Sequence, residues 1–249
     1  MRIVIRHKMI VLGSNSEVAQ AFVEKALGAG EKFEKIYLFT SNVSNTQRFA
    51  QHIEVKFLQS SEIIPLDLTQ EINFSNFDKI DSDLLFCATG FLGKGSEEGL
   101  YDVQNTQKII DVNYAKLIPV LNFFAQKMES KRKGTFIVLS SVAGDRGRQS
   151  NFIYGSAKAG LSAYLSGLRN YLYSRKVHVL TVKPGFMDTK MTEGLPLNPK
   201  LTASPKQAAE HIYKAYKKGR NVAYVLPIWW VIMMIIRNIP EFIFKKLKL

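Results

Sequence analysis

The run Lys8-Met9-Ile10-Val11-Leu12-Gly13-Ser14-Asn15-Ser16-Glu17-Val18-Ala19-Gln20-Ala21-Phe22-Val23 changes its period halfway along. Residues 8–12 form a short apolar segment that stops at Gly13. After the small polar turn Ser14-Asn15-Ser16, residues Val18, Ala21 and Phe22 fall on one helical face. The pattern predicts strand, turn and helix. The helix start would offer free N–H groups and the positive end of its dipole to an anion such as a pyrophosphate.

The alternation continues outward from that stretch. Strands are expected at 36–39, at 54–58 continuing through 63–68 to an aspartate, and at 81–88, 135–139, 177–182 and 222–226, with one long helix over 103–128. Leu84-Leu85-Phe86-Cys87-Ala88 is apolar at every position, as a parallel strand covered on both faces must be. Strands alternating with helices imply an α/β fold, a doubly wound parallel sheet of the Rossmann type flanked by helices, in one domain spanning 1–226. Residues 227–249 form an apolar and basic extension of it. In such sheets ligands lie along the carboxyl ends of the strands. The loop after 84–88 carries Thr89-Gly90 and then Gly93, Gly95 and Gly99 at that edge.

A general acid is suggested by Tyr154 and Lys158, four residues apart on a helix and so on one face. A neighbouring ammonium favours the phenolate and lowers the tyrosine pKa. Spacing alone does not select this pair, because Tyr213 and Lys217 repeat it. Asn113, buried in an apolar helical pattern, needs partners for its amide, either as a bracket or in a proton path. After the second strand stand Thr40-Ser41-Asn42, with Arg48 in the next helix, where an acid would bind the ribose of NAD. Its absence leans towards NADP.

Composition bounds the rest. An apolar content of 46% argues for a globular chain, and the single cysteine, Cys87, allows no internal disulfide, as in a reducing compartment. The N-terminal apolar run is broken by Arg6, His7 and Lys8, so no secretory signal is expected and the protein is placed in the cytoplasm. No metal site is suggested. Of the net charge of +13, an excess of seven lies in 206–249, where nine Lys or Arg face Glu210 and Glu241. This suggests an anionic membrane surface or a phosphate-bearing ligand. Nucleic acid fits less well, because the aromatics form an apolar block instead of spaced stacking platforms.

Taken in order, these pieces resemble the short-chain dehydrogenase/reductase family over about residues 8–226. They are Gly13 in the first turn, Asp67-Leu68 after a strand, Ala88-Thr89-Gly90, Asn113, Ser141 thirteen residues before Tyr154, Lys158, and Pro184-Gly185 with Thr189. The resemblance selects Tyr154–Lys158 over Tyr213–Lys217. It implies a catalytic set of Asn113, Ser141, Tyr154 and Lys158: Ser141 on the substrate carbonyl, Tyr154 donating the proton, Lys158 on the nicotinamide ribose, Asn113 holding a water. It implies NADP or NAD bound by Gly13, Ser14, Asn15, Ser16 and Val18, by Ser41 and Arg48, by Asp67 and Leu68, by Ala88, Thr89 and Gly90, by Tyr154 and Lys158, and by Pro184, Gly185 and Thr189. Helix bracket and helix cap remain alternatives for Asn113 and Asp67. The chain departs from the family pattern at Leu12, Glu17 and Ala19, which replace a threonine and two glycines, and at Cys87-Ala88. A carboxylate at Glu17 would crowd or repel a pyrophosphate.

The run from Ser140 to Gly160 is similar to the bacterial reductases that convert polyprenylphosphoryl (decaprenylphosphoryl) 2-keto-erythro-pentofuranose to the arabinofuranose donor of cell-wall glycans. That resemblance implies a lipid-linked phosphorylated keto sugar as substrate and a flavin-dependent oxidase as partner, with a homo-oligomer at the inner face of the cell membrane. Arg146, Arg148, Gln149 and Asn151 would then grip phosphate or sugar hydroxyls, with ion pairs inside the fold or across a subunit contact as the alternative. The apolar run after Pro227 is too short to span a bilayer. With tryptophans at one end and lysines beyond, it suits a segment lying in the membrane interface or on a polyprenyl chain, or packing between subunits. Another ketone, such as a 3-oxoacyl thioester or a lipid ketone, and a catalytically idle cofactor-binding adaptor are the competing functions.

Overall fold

In the computed structural model the described residues are 7–248; residues 1–6, on which the expectation about a secretory signal partly rests, and residue 249 lie outside them. In chain order the elements are β1 (His7–Leu12), α1 (Glu17–Gly28), β2 (Phe33–Thr40), α2 (Val43–Phe57), β3 (Ser61–Pro65), β4 (Leu84–Cys87), α3 (Ser96–Gly99), α4 (Val103–Ile110), α5 (Leu117–Lys131), β5 (Gly134–Leu139), α6 (Phe152–Tyr173), β6 (Val177–Pro184), β7 (Phe186–Met187), β8 (Thr202–Ala203), α7 (Pro205–Lys217), β9 (Val222–Val225), α8 (Ile228–Asn238) and α9 (Glu241–Phe244).

Seven strands form one sheet in the order β3-β2-β1-β4-β5-β6-β9, with every pairing parallel. Because successive side chains leave a strand on opposite faces, β1 feeds two cores. Met9 and Val11 pack with α1, α2 and α7 through Phe22, Ile53 and Ile212. Ile10 and Leu12 pack with α5 and α6 through Phe124 and Leu161. The strand order reverses between β1 and β4, which opens a crevice at their carboxyl ends where ligands bind in folds of this kind.

Two expectations need correction. Residues 54–57 close α2 and are not strand; the chain turns at Leu58 with φ of 53° before β3, which ends ahead of Asp67. The helical pattern over 103–128 is divided by a π turn, Asp111–Ala115. Its extra residue re-aims Asn113 into the loop after β4. The segment after Pro227 is covered on one side only: Trp229 and Met233 are buried against Val142, while the apolar side chains of Trp230 and Ile235 are exposed. Gly185 makes this seat possible, since a Cβ there would lie 1.9 Å from the Trp229 ring. Among the described residues no helix is long and apolar enough to cross a membrane.

Candidate active site

A cavity of about 600 Å³ occupies the crevice at the carboxyl ends of the strands. Its floor is the β1–α1 turn. Gly13 has φ of +78°, and a Cβ on it would meet the Thr89 backbone at 2.9 Å. Only glycine combines that conformation with so close an approach of two strand ends. Asn15, Ser16, Glu17 and Val18 follow along the cavity wall. Ser16 caps α1 without a side-chain hydrogen bond, so the first N–H groups of that helix stay available to an anion. The Asn15 amide sits 2.7 Å from Thr46 Oγ1 and braces the turn.

Ser41, Asp67 and Leu68 line one end of the cavity, Ala88, Thr89 and Gly90 its middle, and Tyr154, Lys158, Pro184 and Thr189 the other end. Asp67 is held by accepting from the Thr69 amide and hydroxyl, each at 2.8 Å. Three of the expected cofactor residues lie off the cavity wall. Ser14 is buried and donates to the Phe39 carbonyl at 3.0 Å. Arg48 is exposed on the outer side of α2. Gly185 faces Trp229.

Of the expected catalytic residues, Ser141, Tyr154 and Lys158 come together where β5 meets α6; Tyr154 and Lys158 line the cavity, and Ser141 and Asn113 do not. Ser140 Oγ donates to the Lys158 carbonyl at 2.9 Å and sits 2.7 Å from Ser162 Oγ, which ties the strand end to the helix. Two glycines let the backbones touch: a Cβ at Gly144 would lie 2.6 Å from the Lys158 carbonyl carbon, and one at Gly155 2.9 Å from the Ala143 oxygen. Ser141 accepts from the Ala143 amide at 3.1 Å. Burial pushes the Tyr154 phenol up to about 12, and the neighbouring Ser141 hydroxyl pulls the other way. Lys158 is 2% exposed and donates to the carbonyls of Leu139 at 3.3 Å and Thr89 at 3.5 Å. Burial lowers its ammonium to about 8, opposed by Cys87.

The expected lowering of Tyr154 by Lys158 is therefore reversed. The ammonium stands 5.7 Å from the ring centre, and desolvation outweighs it. The phenol is held protonated at neutral pH, which is the form that donates.

Asn113 has no exposed surface; it donates to the Phe91 carbonyl at 2.7 Å and the Ile109 carbonyl at 2.9 Å, and accepts from the Phe91 amide at 3.3 Å. Both its N–H groups are committed to the backbone, so the bracket role is the one this geometry builds. Glu17 accepts from the Lys190 amide at 2.9 Å and thereby links the β1–α1 turn to the segment after Thr189.

The loop before α6 departs furthest from expectation. Arg146 donates to the carbonyls of Ile236 at 2.8 Å and Ile239 at 2.5 Å, pairs with Glu241 at 2.9 Å, and lies 3.7 Å from the Phe244 ring centre. It satisfies the orphan carbonyls at the end of α8 instead of reaching the cavity. Arg148, Gln149 and Asn151 also stand off the cavity wall. Arg148 Nε and Asn151 Oδ1 are buried without partners, and burial holds the Arg148 guanidinium below its usual range. Tyr213 and Lys217 both donate to Glu31, at 3.0 and 2.7 Å, and stand off the cavity wall. Lys108 and Lys190 do line the cavity. Nothing in their local sequence marks them, because they meet only across the strand ends. Among the described residues no group of His, Cys, Asp or Glu could hold a metal ion.

A family model described as short chain dehydrogenase matches residues 7–200. An oxidoreductase of Mycobacterium tuberculosis is 32% identical over 146 residues, 59% of this chain and 58% of that protein. The match thus spans little more than half the length of this relative. A short-chain dehydrogenase of Sphingobium yanoikuyae in complex with NADPH superposes with a TM-score of 0.80 at 15% identity, over 94% of this chain and 97% of that one. One from Burkholderia cenocepacia in complex with NADP gives 0.80 at 17%, over 97% of each. At these identities the likeness shows the fold.

Proposed function

Because this chain belongs to the short-chain dehydrogenase family, with residues 7–200 matched, we propose that it is an NAD(P)H-dependent ketone reductase with Tyr154 as its general acid. The observation that carries this reading is the pairing of a protonated, partly buried phenol and the buried Lys158 ammonium on the cavity wall, with the Ser141 hydroxyl beside the phenol. A dinucleotide suits the residues present. The uncapped start of α1 and the Gly13 approach would receive the pyrophosphate, Ser41, Asp67 and Leu68 the adenosine end, and Thr89, Lys158 and Thr189 the nicotinamide end. The bound nicotinamide supplies the hydride. Ser141 hydrogen-bonds the carbonyl oxygen, Tyr154 transfers its proton to that oxygen, and Lys158 offsets the phenolate left behind. NADPH is favoured over NADH by the missing acid after β2 and by the NADPH and NADP bound to the two structural neighbours.

For substrate we infer a polyprenylphosphoryl 2-keto-pentose, supplied by a flavin-dependent oxidase and met by a homo-oligomer at the inner membrane surface. The similarity of 140–160 to reductases of that substrate supports this, as does the exposed apolar face of α8 and α9, with Trp230, Ile235 and Phe242 beside Lys245 and Lys246. The test is to incubate the protein with this ketone and NADPH or NADH and follow cofactor oxidation. Tyr154→Phe should lower the rate roughly a hundredfold or more. No oxidation of either cofactor would remove the keto-sugar reading, and activity surviving in Tyr154→Phe would remove the general acid.

A further inference from the structure

A second cavity of about 690 Å³ adjoins the first and shares with it the wall made by Gly90, Phe91, Lys108, Lys190 and Met191. The first cavity is lined along its length by residues suited to a dinucleotide, so a substrate reaching Tyr154 has to extend past this shared wall. The charges on it are not balanced. Lys94, which lines only the second cavity, pairs with Asp102 at 2.9 Å. Lys108 and Lys190 have no carboxylate within ion-pair distance among the described residues.

Both lysines are exposed at this wall, and each has one contact that fixes part of it. The Lys108 ammonium lies 4.5 Å from the centre of the Phe91 ring, and the Lys190 backbone is held by Glu17 at 2.9 Å. Lysine binds phosphate as a compact point charge, and a cleft concentrates the field of charges on its walls. Arg146, the residue whose chemistry best suited a phosphate, is spent on the end of α8.

We propose that Lys108 and Lys190 form the subsite for an anionic phosphate ester on the substrate, at the junction of the two cavities. This rests on the reductase reading for its ketone, while the subsite itself is a matter of binding.

The experiment measures calorimetric binding of farnesyl phosphate, farnesol and inorganic phosphate, each with and without saturating NADP, to wild type, Lys108→Gln and Lys190→Gln. Wild type should prefer farnesyl phosphate to farnesol. Each variant should lose roughly tenfold in affinity for farnesyl phosphate and little for farnesol, as expected for a charged hydrogen bond removed. Retained binding of inorganic phosphate would assign the site to the phosphate alone, and binding of farnesyl phosphate only would show that the lipid contributes; both uphold the subsite if the variants weaken them. Unchanged farnesyl phosphate affinity in both variants would overturn the proposal. So would a loss confined to NADP, since the lysines would then serve the cofactor. Failure of wild type to bind NADP would count against the reductase and leave the phosphate measurement to decide the subsite. Melting curves of the variants show that they are folded.

Discussion

Lys158 directs its ammonium at the Leu139 carbonyl, 3.3 Å away, from a side chain that is 2% exposed. The contact joins α6 to the end of β5 and keeps a cation inside the protein. Burial lowers the folded-state pKa to about 8, from an ordinary value near 10.5. Between those values the unfolded chain binds more protons than the folded one, so this group makes stability rise with pH across that window. Tyr154, pushed up to about 12, acts oppositely: above pH 10 the folded chain keeps a proton that the unfolded chain releases. Urea denaturation at stepped pH should therefore show a rise in stability from about pH 8 to 10. Lys158→Met should flatten that rise and be roughly 1–3 kcal/mol more stable at pH 7. A rise that persists in the variant would assign it to other groups.

Glu17 stands where the family pattern has a glycine, beside the N–H groups of α1, and its carboxylate is tied to the Lys190 amide at 2.9 Å. Glutamine keeps an acceptor for that amide and removes the charge. Glu17→Gln should bind NADPH roughly threefold to tenfold more tightly in a fluorescence titration, the scale of one partly screened like-charge contact. Equal or weaker binding would mean that the carboxylate does not oppose the pyrophosphate.

Gly185 and Trp229 are in closer contact than any side chain at 185 allows. A Cβ there would lie 1.9 Å from Cε2 and 2.0 Å from Nε1 of the indole, which donates to the Leu201 carbonyl at 3.0 Å. Gly185→Ala should displace α8 and cost about 1–3 kcal/mol. In a Trp230→Phe background the Trp229 emission should shift to the red, and Trp229→Leu should restore part of the lost stability. An unshifted emission maximum would show that α8 does not depend on this seat.

The order of strands and helices, the Gly13 turn and the position of Tyr154 after β5 were legible because each depends on local pattern. Burial on both faces writes a continuous apolar run into β4, and the switch from period two to period 3.6 writes the β1–α1 junction into residues 8–23. Asn113 was visible as a polar residue in an apolar helix, but its π turn was not, since an added residue within a helical repeat leaves the apolar pattern nearly unchanged. Which of the two Tyr–Lys pairs matters was likewise not a property of spacing. Glu31 accepts from both members of the second pair, whereas the first is enclosed at the strand ends.

The tertiary structure alone decided the fate of the charges. Arg146 pairs with carbonyls some 90 residues further along the chain, Glu17 with an amide 173 residues away, and Lys108 and Lys190 share a cavity wall only because β4 and β6 belong to the same sheet. A charged side chain carries no local mark of its partner, because its long stem and weak directional preference allow many arrangements on a surface. Apolar residues, by contrast, announce their burial through spacing. The sequence by itself therefore determined the sheet and the crevice at its strand ends, and folding determined which charged side chains stand on the wall of that crevice.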